Sequence, residues 1–420
     1  MAEGDGFLRL AWLPVPRIVF SLQPSHIEKM AFPADATLRL LDRGVSTTVF
    51  CPGLSIHSGE LELEGSLRRP LEPAQPCVCA SVIFHVVGFW AMEGSPLRWN
   101  TKSAGGFSGR TVLQGGGWSI TLDPVCYLDG PDGLANALRK SGGYAITHVG
   151  AIERQGTAVF SREEAEQILQ DIAWYLSFAR GAWCMPVLPI GFDAQGNRLW
   201  EDWELMRIEP YVSTMTWCGP EAADVLGAVF PGFLSRRALS VWREPVKLAI
   251  NWYVESCSAK VTVDTAMVIE QTALELLAWV LVVEDQKSVS ASDFENPKRY
   301  PAWKKLTLLL QWAGIPSDIP AQMPELAAWC QKAVTRNGKP VSCDGPHVFT
   351  EMRNRIAHAK TGESLLETPR KARRQAHMLG LWYLGLILLR LFNHKGRYLN
   401  AFVDSLHGVK IEEVPWATQP

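Results

Sequence analysis

The sequence predicts an α+β protein, with a β-rich N-terminal region (residues 1–234) followed by an all-α helical bundle (residues 235–420). Before about residue 127, short alternating segments rich in β-branched residues are separated by Gly and Pro. From about residue 235 onward, apolar residues recur at helical spacing. The length of 420 residues exceeds what one small core serves, so two or three domains are expected.

The N-terminal region is predicted to be an antiparallel sheet or sandwich with an added helix, in one unit or two subdomains. Candidate strands carry alternating or β-branched runs, and they lie near Leu38, Val49 and Leu61, from Cys77, and from Trp118. A hairpin turn is expected at Gly115–Gly117, which lacks the lysine of a phosphate-binding loop. A Ser161–Glu164 capping box predicts the start of a helix.

The C-terminal half is predicted to contain five or six helices, enough for a four-helix core with additions. Pro245 is the expected first residue of one helix. Another is expected from Val261 to Asp285, where Glu270 and Glu275 interrupt an apolar stripe and face either a functional cleft or solvent. A long helix is expected from about Arg370 to Asn393. Its apolar run is interrupted by Arg390 and is shorter than a membrane span, so we expect a bundle core.

Charge and cysteine usage narrow the functional classes. The net charge of −2 argues against indiscriminate nucleic-acid binding, yet residues 353–397 hold ten Lys or Arg against two Glu. That local excess fits a confined RNA or phosphate site, or a solvated basic helix face. The nine scattered cysteines show no ligand spacing for structural zinc. The N-terminal segment is acidic, unlike a signal peptide. Together with the cysteine pattern, this leads us to expect a soluble, reduced, cytoplasmic protein without membrane segments.

The segment Phe349–Lys360 holds the candidate site. On a helix, Val348, Phe349, Met352 and Ile356 share a buried side, and Arg353, Asn354 and His358 lie away from it. The arginine fork suits two phosphate oxygens, and a histidine that titrates near neutrality suits proton transfer. Asn354, one turn before His358, is placed to orient the imidazole or to bind substrate. The trio is thus either a phosphate site or a solvated helix face.

This RNRIAH segment, at residues 353–358, resembles the R-x(4–6)-H motif of the HEPN ribonucleases. The later segment LLRLFNHKGRYLN is similar to the tail of the Apea-like branch of that superfamily, and IEQTALELLAWVL resembles its first bundle helix. That branch is associated with anti-phage defence. The resemblance covers about the last 180 residues.

The resemblance implies a homodimer in which two motif helices meet, so that two Arg–His sets share one cleft. It further implies an endoribonuclease of the abortive-infection type that needs no metal or cofactor and leaves 2′,3′-cyclic phosphate ends. Arg353, Asn354 and His358 are then the catalytic candidates. Arg355, Lys360 and Glu270 are the substrate-binding candidates. The N-terminal region would sense a phage-derived trigger.

Two alternatives remain open from the sequence. The bundle is alternatively a non-catalytic module in which Arg353 and His358 hold a nucleotide or a partner's carboxylate, with ligand sensing by the N-terminal region. The tryptophan-rich segment is a stacking surface for a ligand or part of the core; its members are Trp174, Trp183, Trp200, Trp203 and Trp217.

Overall fold

The α+β class is confirmed by a computed structural model of the chain, in which antiparallel sheets precede a helical region. The structure describes residues 2–27, 32–41, 45–57, 60–67, 77–97, 107–125, 133–156, 158–203, 207–334, 343–357, 368–400 and 410–417.

The first sheet has five antiparallel strands in the order β1-β2-β5-β4-β3. Its strands are β1 (Ala2–Ala11), β2 (Arg17–Ile27), β3 (Ala34–Leu40), β4 (Val45–His57) and β5 (Glu60–Leu67). One small core belongs to this sheet, and it includes Phe20, Val49 and Leu63. The described strands of this sheet therefore share a small core of their own.

The second sheet has seven antiparallel strands in the order β14-β13-β7-β11-β10-β9-β8. Strands β6 and β12 form a separate pair beside it. The bounds are β6 (Val78–Cys79), β7 (Ser81–Val87), β8 (Ser95–Leu97), β9 (Phe107–Gly115), β10 (Trp118–Pro124), β11 (Ile146–Arg154), β12 (Phe160–Ser161), β13 (Pro186–Phe192) and β14 (Arg198–Glu201). The predicted hairpin turn joins β9 to β10, and Gly116 and Gly117 adopt the positive φ values that it needs.

Two helices accompany the second sheet, α1 (Leu134–Lys140) and α2 (Arg162–Arg180). The capping box that predicts α2 is confirmed: the Glu164 amide donates to the Ser161 hydroxyl at 3.2 Å, and the Ser161 amide donates to the Glu164 carboxylate at 2.9 Å. These bonds satisfy two backbone donors that a helix start leaves free.

The remaining described helices form the bundle. They are α3 (Ala223–Ala238), α4 (Ser240–Cys257), α5 (Val263–Trp279), α6 (Ala291–Glu295), α7 (Ala302–Ala313), α8 (Pro324–Val334), α9 (Gly345–Ala357) and α10 (Arg370–Leu391). A π-helical segment, Val280–Asp285, extends α5. Strands β15 (Arg397–Asn400) and β16 (Lys410–Glu413) form a C-terminal hairpin.

Two predicted boundaries are wrong. Pro245 lies inside α4 rather than at its start, because the preceding turn is held by Trp242, which is fully buried and donates to Asp285 at 3.1 Å. The helical region also begins before residue 235, with α3 at Ala223. A side chain added at Gly115 would lie 2.9 Å from the Pro231 backbone, so α3 packs closely on the end of β9.

One large core joins the second sheet to the helices. It extends from Cys79 in the sheet through α2 and the bundle to Trp416 after β16. The tryptophans follow this core: Trp183, Trp200 and Trp217 are buried in it. Their burial favours the core interpretation over a stacking surface for ligands. The bundle and the second sheet are therefore one packed unit.

The most apolar helical stretch among the described residues lies mostly inside the protein. Within the described ranges, one helical stretch, Val263–Asp285, is long and apolar enough to cross a membrane, and 61% of its most apolar window is buried in the protein.

The expectation of fully reduced cysteines is wrong for one pair. Cys330 in α8 and Cys343 before α9 are joined by a disulfide with a Cα–Cα distance of 5.9 Å. They are 13 residues apart, and sequence spacing alone did not single them out.

Candidate functional site

The buried side of helix α9 is the one that the sequence predicts. Val348, Phe349 and Met352 are buried on one side. Asp344 begins the helix, because its carboxylate accepts from the His347 amide at 2.9 Å. The burial of one side fixes the rotation of the helix and so the direction in which the remaining side chains point.

Arg353 and Asn354 lie together at the edge of the core. Both are half-buried, which is less outward than the sequence predicts, and Nη1 of Arg353 donates to Oδ1 of Asn354 at 3.0 Å. Nε of Arg353 is shielded from solvent and has no hydrogen-bond partner among the described residues. A buried donor without an acceptor costs about 1–3 kcal/mol. A phosphate oxygen drawn into this position would supply the acceptor.

Arg355 is not part of the same surface. It lies about 200° around the helix from Arg353. Its guanidinium pairs with Glu351 at 3.0 Å and stands over the ring of Trp329 on α8 at 4.9 Å. The structure therefore does not bring this predicted substrate-binding residue to the Arg353 surface. The other two candidates from this segment, His358 and Lys360, lie outside the described residues.

Glu270 is a core residue, so the interpretation that it marks a solvated face is wrong. It is 0% exposed, and its Oε1 lies 2.6 Å from Nδ1 of His377 on α10. Its other oxygen, Oε2, has no partner among the described residues. Helix α5 is apolar around most of its circumference, and for that reason it is enclosed on several sides. The structure therefore encloses this predicted substrate-binding residue and places it against His377.

His377 is the residue that the sequence analysis missed. It is 8% exposed and follows four basic residues in the segment RKARRQAHMLG. The signal for it in the sequence was a histidine on the apolar face of a predicted helix. Its partner lies 107 residues earlier in the chain, and sequence periodicity does not show such a pairing.

Basic side chains surround the start of α10. Arg370 and Arg374 are exposed, while Arg373 pairs with Asp264 on α5 at 2.9 Å. The first turn of α10 has no acidic residue, although the positive end of the helix dipole favours anions there. Four of the ten basic residues in 353–397 thus lie at this helix start, which suits an anionic ligand.

The pair formed by Glu270 and His377 predicts a pH-dependent stability. Burial raises the pKa of Glu270. Burial lowers the pKa of His377, but the charge of and hydrogen bond to Glu270 outweigh it, so the pKa is raised above 6.5. Both shifts mean that the native state binds protons more tightly than the unfolded chain. The His377 contribution is complete below pH 6.5 and is lost as the pH rises through the raised folded value.

We therefore expect the free energy of unfolding to fall as the pH rises from mildly acidic to alkaline. Urea denaturation at about pH 6 and about pH 9 measures this change. The variant Glu270→Met/His377→Leu lacks both groups and should show a smaller decrease. An equal decrease in both proteins would contradict the assignment to this pair.

Other features of the described residues lie apart from α9. An apolar pocket is lined by residues of α4, α10 and β15 and of the segment before α3. It contains no charged side chain, so we do not place the chemistry there. Within the part of the chain that the structure describes, no group of three or more His, Cys, Asp or Glu is arranged to hold a metal ion.

Comparison with known proteins identifies similar sequences of unassigned activity. Residues 239–411 match the family model of the YopA C-terminal domain, and residues 75–214 match that of the YopA central domain. The chain is 28% identical over 423 residues to the SPbeta prophage-derived uncharacterized protein YopA of Bacillus subtilis (strain 168). The alignment covers 99% of this chain and 91% of that protein. No solved structure matches the chain significantly.

Proposed function

We propose that this protein is a cytoplasmic, metal-independent endoribonuclease of the HEPN type that acts as an anti-phage effector. The observation that carries the proposal is Arg353, half-buried on α9, held by Asn354 at 3.0 Å, with an Nε donor that lacks an acceptor among the described residues. A guanidinium in this state suits a phosphodiester oxygen. The exposed Arg370 and Arg374 supply further charge for an RNA backbone.

The proposed reaction uses the 2′-hydroxyl of the substrate as nucleophile. His358 moves the proton, Arg353 stabilises the charge that grows on the phosphate oxygens, and Asn354 orients the guanidinium through the bond described above. The products are a 2′,3′-cyclic phosphate and a 5′-hydroxyl. Two such chains form the homodimer, with their motif helices adjacent.

The proposed biological setting draws on the N-terminal sheet and on the related protein. The first sheet has its own core, so a phage-derived trigger can act on it without disrupting the large core. The relative is named as prophage-derived, which fits a role in conflict between phages. We propose that the first and second sheets sense the trigger and that the bundle cleaves RNA.

The test is cleavage of RNA in EDTA by the full chain, with and without extract from phage-infected cells, followed by analysis of the new 3′ ends. We expect cyclic phosphate ends from the wild type and a loss of about 100-fold or more in His358→Ala. Full cleavage by His358→Ala would refute the mechanism. RNA binding without cleavage under every condition would instead favour the non-catalytic binding module.

A further inference from the structure

The Glu270–His377 pair is costly for a core to contain. Glu270 is 0% exposed, and 10% of the His377 side chain remains accessible. Replacing a buried ion pair by apolar residues of similar volume is often neutral or stabilising. Stability alone therefore gives no reason for an imidazole and a carboxylate at this position. A chemical role gives one.

Helix packing places His377 at the level of Arg353. Helices α9 and α10 run antiparallel. Gly345, at the start of α9, lies against Tyr383 on α10, whereas Phe349, one turn later on α9, lies against the earlier residue Gly380 on α10. A side chain at Gly380 would also lie 2.4 Å from Oε2 of Glu270. Arg353 lies one turn after Phe349 on α9, and His377 lies about one turn before Gly380 on α10. Since the helices are antiparallel, both steps lead in the same direction. The pair and the arginine thus occupy neighbouring turns of the α5–α9–α10 junction.

The contact with Glu270 determines which nitrogen of His377 is available. Nδ1 faces the carboxylate at 2.6 Å, so Nε2, on the other side of the ring, is directed away from Glu270. A carboxylate on one imidazole nitrogen fixes the ring orientation and stabilises the imidazolium. The charge of Glu270 raises the pKa of His377 against the opposing effects of burial and of Arg374. That charge favours the protonated ring, the form in which Nε2 can donate a proton.

We propose that His377 is the general acid of the RNA cleavage reaction and that Glu270 is its positioning residue. This inference rests on the proposed function. The 2′-hydroxyl proton passes to His358 as its oxygen forms a bond to phosphorus. The bond from phosphorus to the 5′-oxygen breaks, and that oxygen keeps the electron pair and takes the proton from Nε2 of His377.

The test compares ordinary RNA with RNA whose scissile 5′-oxygen is replaced by sulfur. A thiolate leaves without protonation because its conjugate acid is far stronger than an alcohol. His377→Gln should lower cleavage of ordinary RNA by about 100-fold and of the sulfur substrate by no more than about threefold. Glu270→Gln should show the same selective loss at smaller size. Both variants retain a polar group at the pair.

The matched control is His347→Gln. His347 also pairs with a carboxylate, Asp344 at 2.8 Å, but at the opposite end of α9. It should cleave both substrates like the wild type. Thermal unfolding of each variant identifies any that fails to fold, in which case Glu270→Gln decides the question.

The outcomes separate the two proposals. Equal losses on both substrates by a folded His377→Gln protein would show a structural role and overturn the inference. Unchanged cleavage of ordinary RNA would overturn it as well. In both cases the wild type still cleaves RNA, so the proposed function stands. Absence of cleavage of either substrate by the wild type, with and without extract from phage-infected cells, would overturn the proposed function and this inference together.

Discussion

Replacing Arg353 with alanine is expected to lower RNA cleavage by about 100- to 1000-fold, the usual effect of removing a donor that stabilises transition-state charge. The fold should be retained, because alanine favours helices and the change removes an Nε donor that has no partner among the described residues. Arg353→Lys keeps the charge but loses the planar fork, and we expect it to recover only part of the activity. Initial rates and thermal unfolding of the purified full chains measure both effects.

Arg355→Ala is the matched comparison for this prediction, since it removes the same charge from the opposite side of α9. Arg355 packs on Trp329 and pairs with Glu351, so its loss should change cleavage only a few-fold. A loss as large as that of Arg353→Ala would show that the substrate contacts both sides of the helix. Full activity in Arg353→Ala would refute the assigned phosphate contact.

His377→Leu is expected to destabilise the protein by about 3–5 kcal/mol, because it leaves the carboxylate of Glu270 buried without its partner. The double variant Glu270→Met/His377→Leu should recover most of that loss, since an apolar pair of similar volume has no charge to bury. Urea denaturation of the wild type, Glu270→Met, His377→Leu and the double variant gives the coupling free energy. A double variant as unstable as His377→Leu would mean that packing, not charge, dominates.

The same variants distinguish stability from chemistry. The double variant is expected to be well folded. If His377 acts as the general acid, this folded protein should still be deficient in cleavage of ordinary RNA. A stable double variant with full activity would remove the pair from the mechanism. The two measurements thus test the pair independently.

Local patterns predicted local structure well. The capping box at Ser161 and Glu164 and the apolar run of α10 depend on residues close in sequence, and both are confirmed. The buried side of α9 followed from spacings of three and four residues. These signals depend on residues that are close together in the chain, so they can be recognised in a single sequence.

The site was only partly predictable, because its other half comes from distant helices. Whether Glu270 faces a cleft, the core or solvent depends on what encloses α5, and its own sequence is apolar on nearly every side. The direction of Arg355 depends on Trp329, which belongs to a different helix. His377 can be recognised as a candidate only from the fold, which places Glu270 beside it. Tertiary packing decides each of these cases.

The separation of the two cores bears on how proteins of this kind diversify. Exchange of gene segments preserves folding where few packed contacts are divided. A junction between residues 67 and 77 would leave both cores whole, whereas a junction near residue 235 would divide the large core between two parents. New recognition properties would therefore be accommodated most easily in the first 67 residues, with the large core left intact.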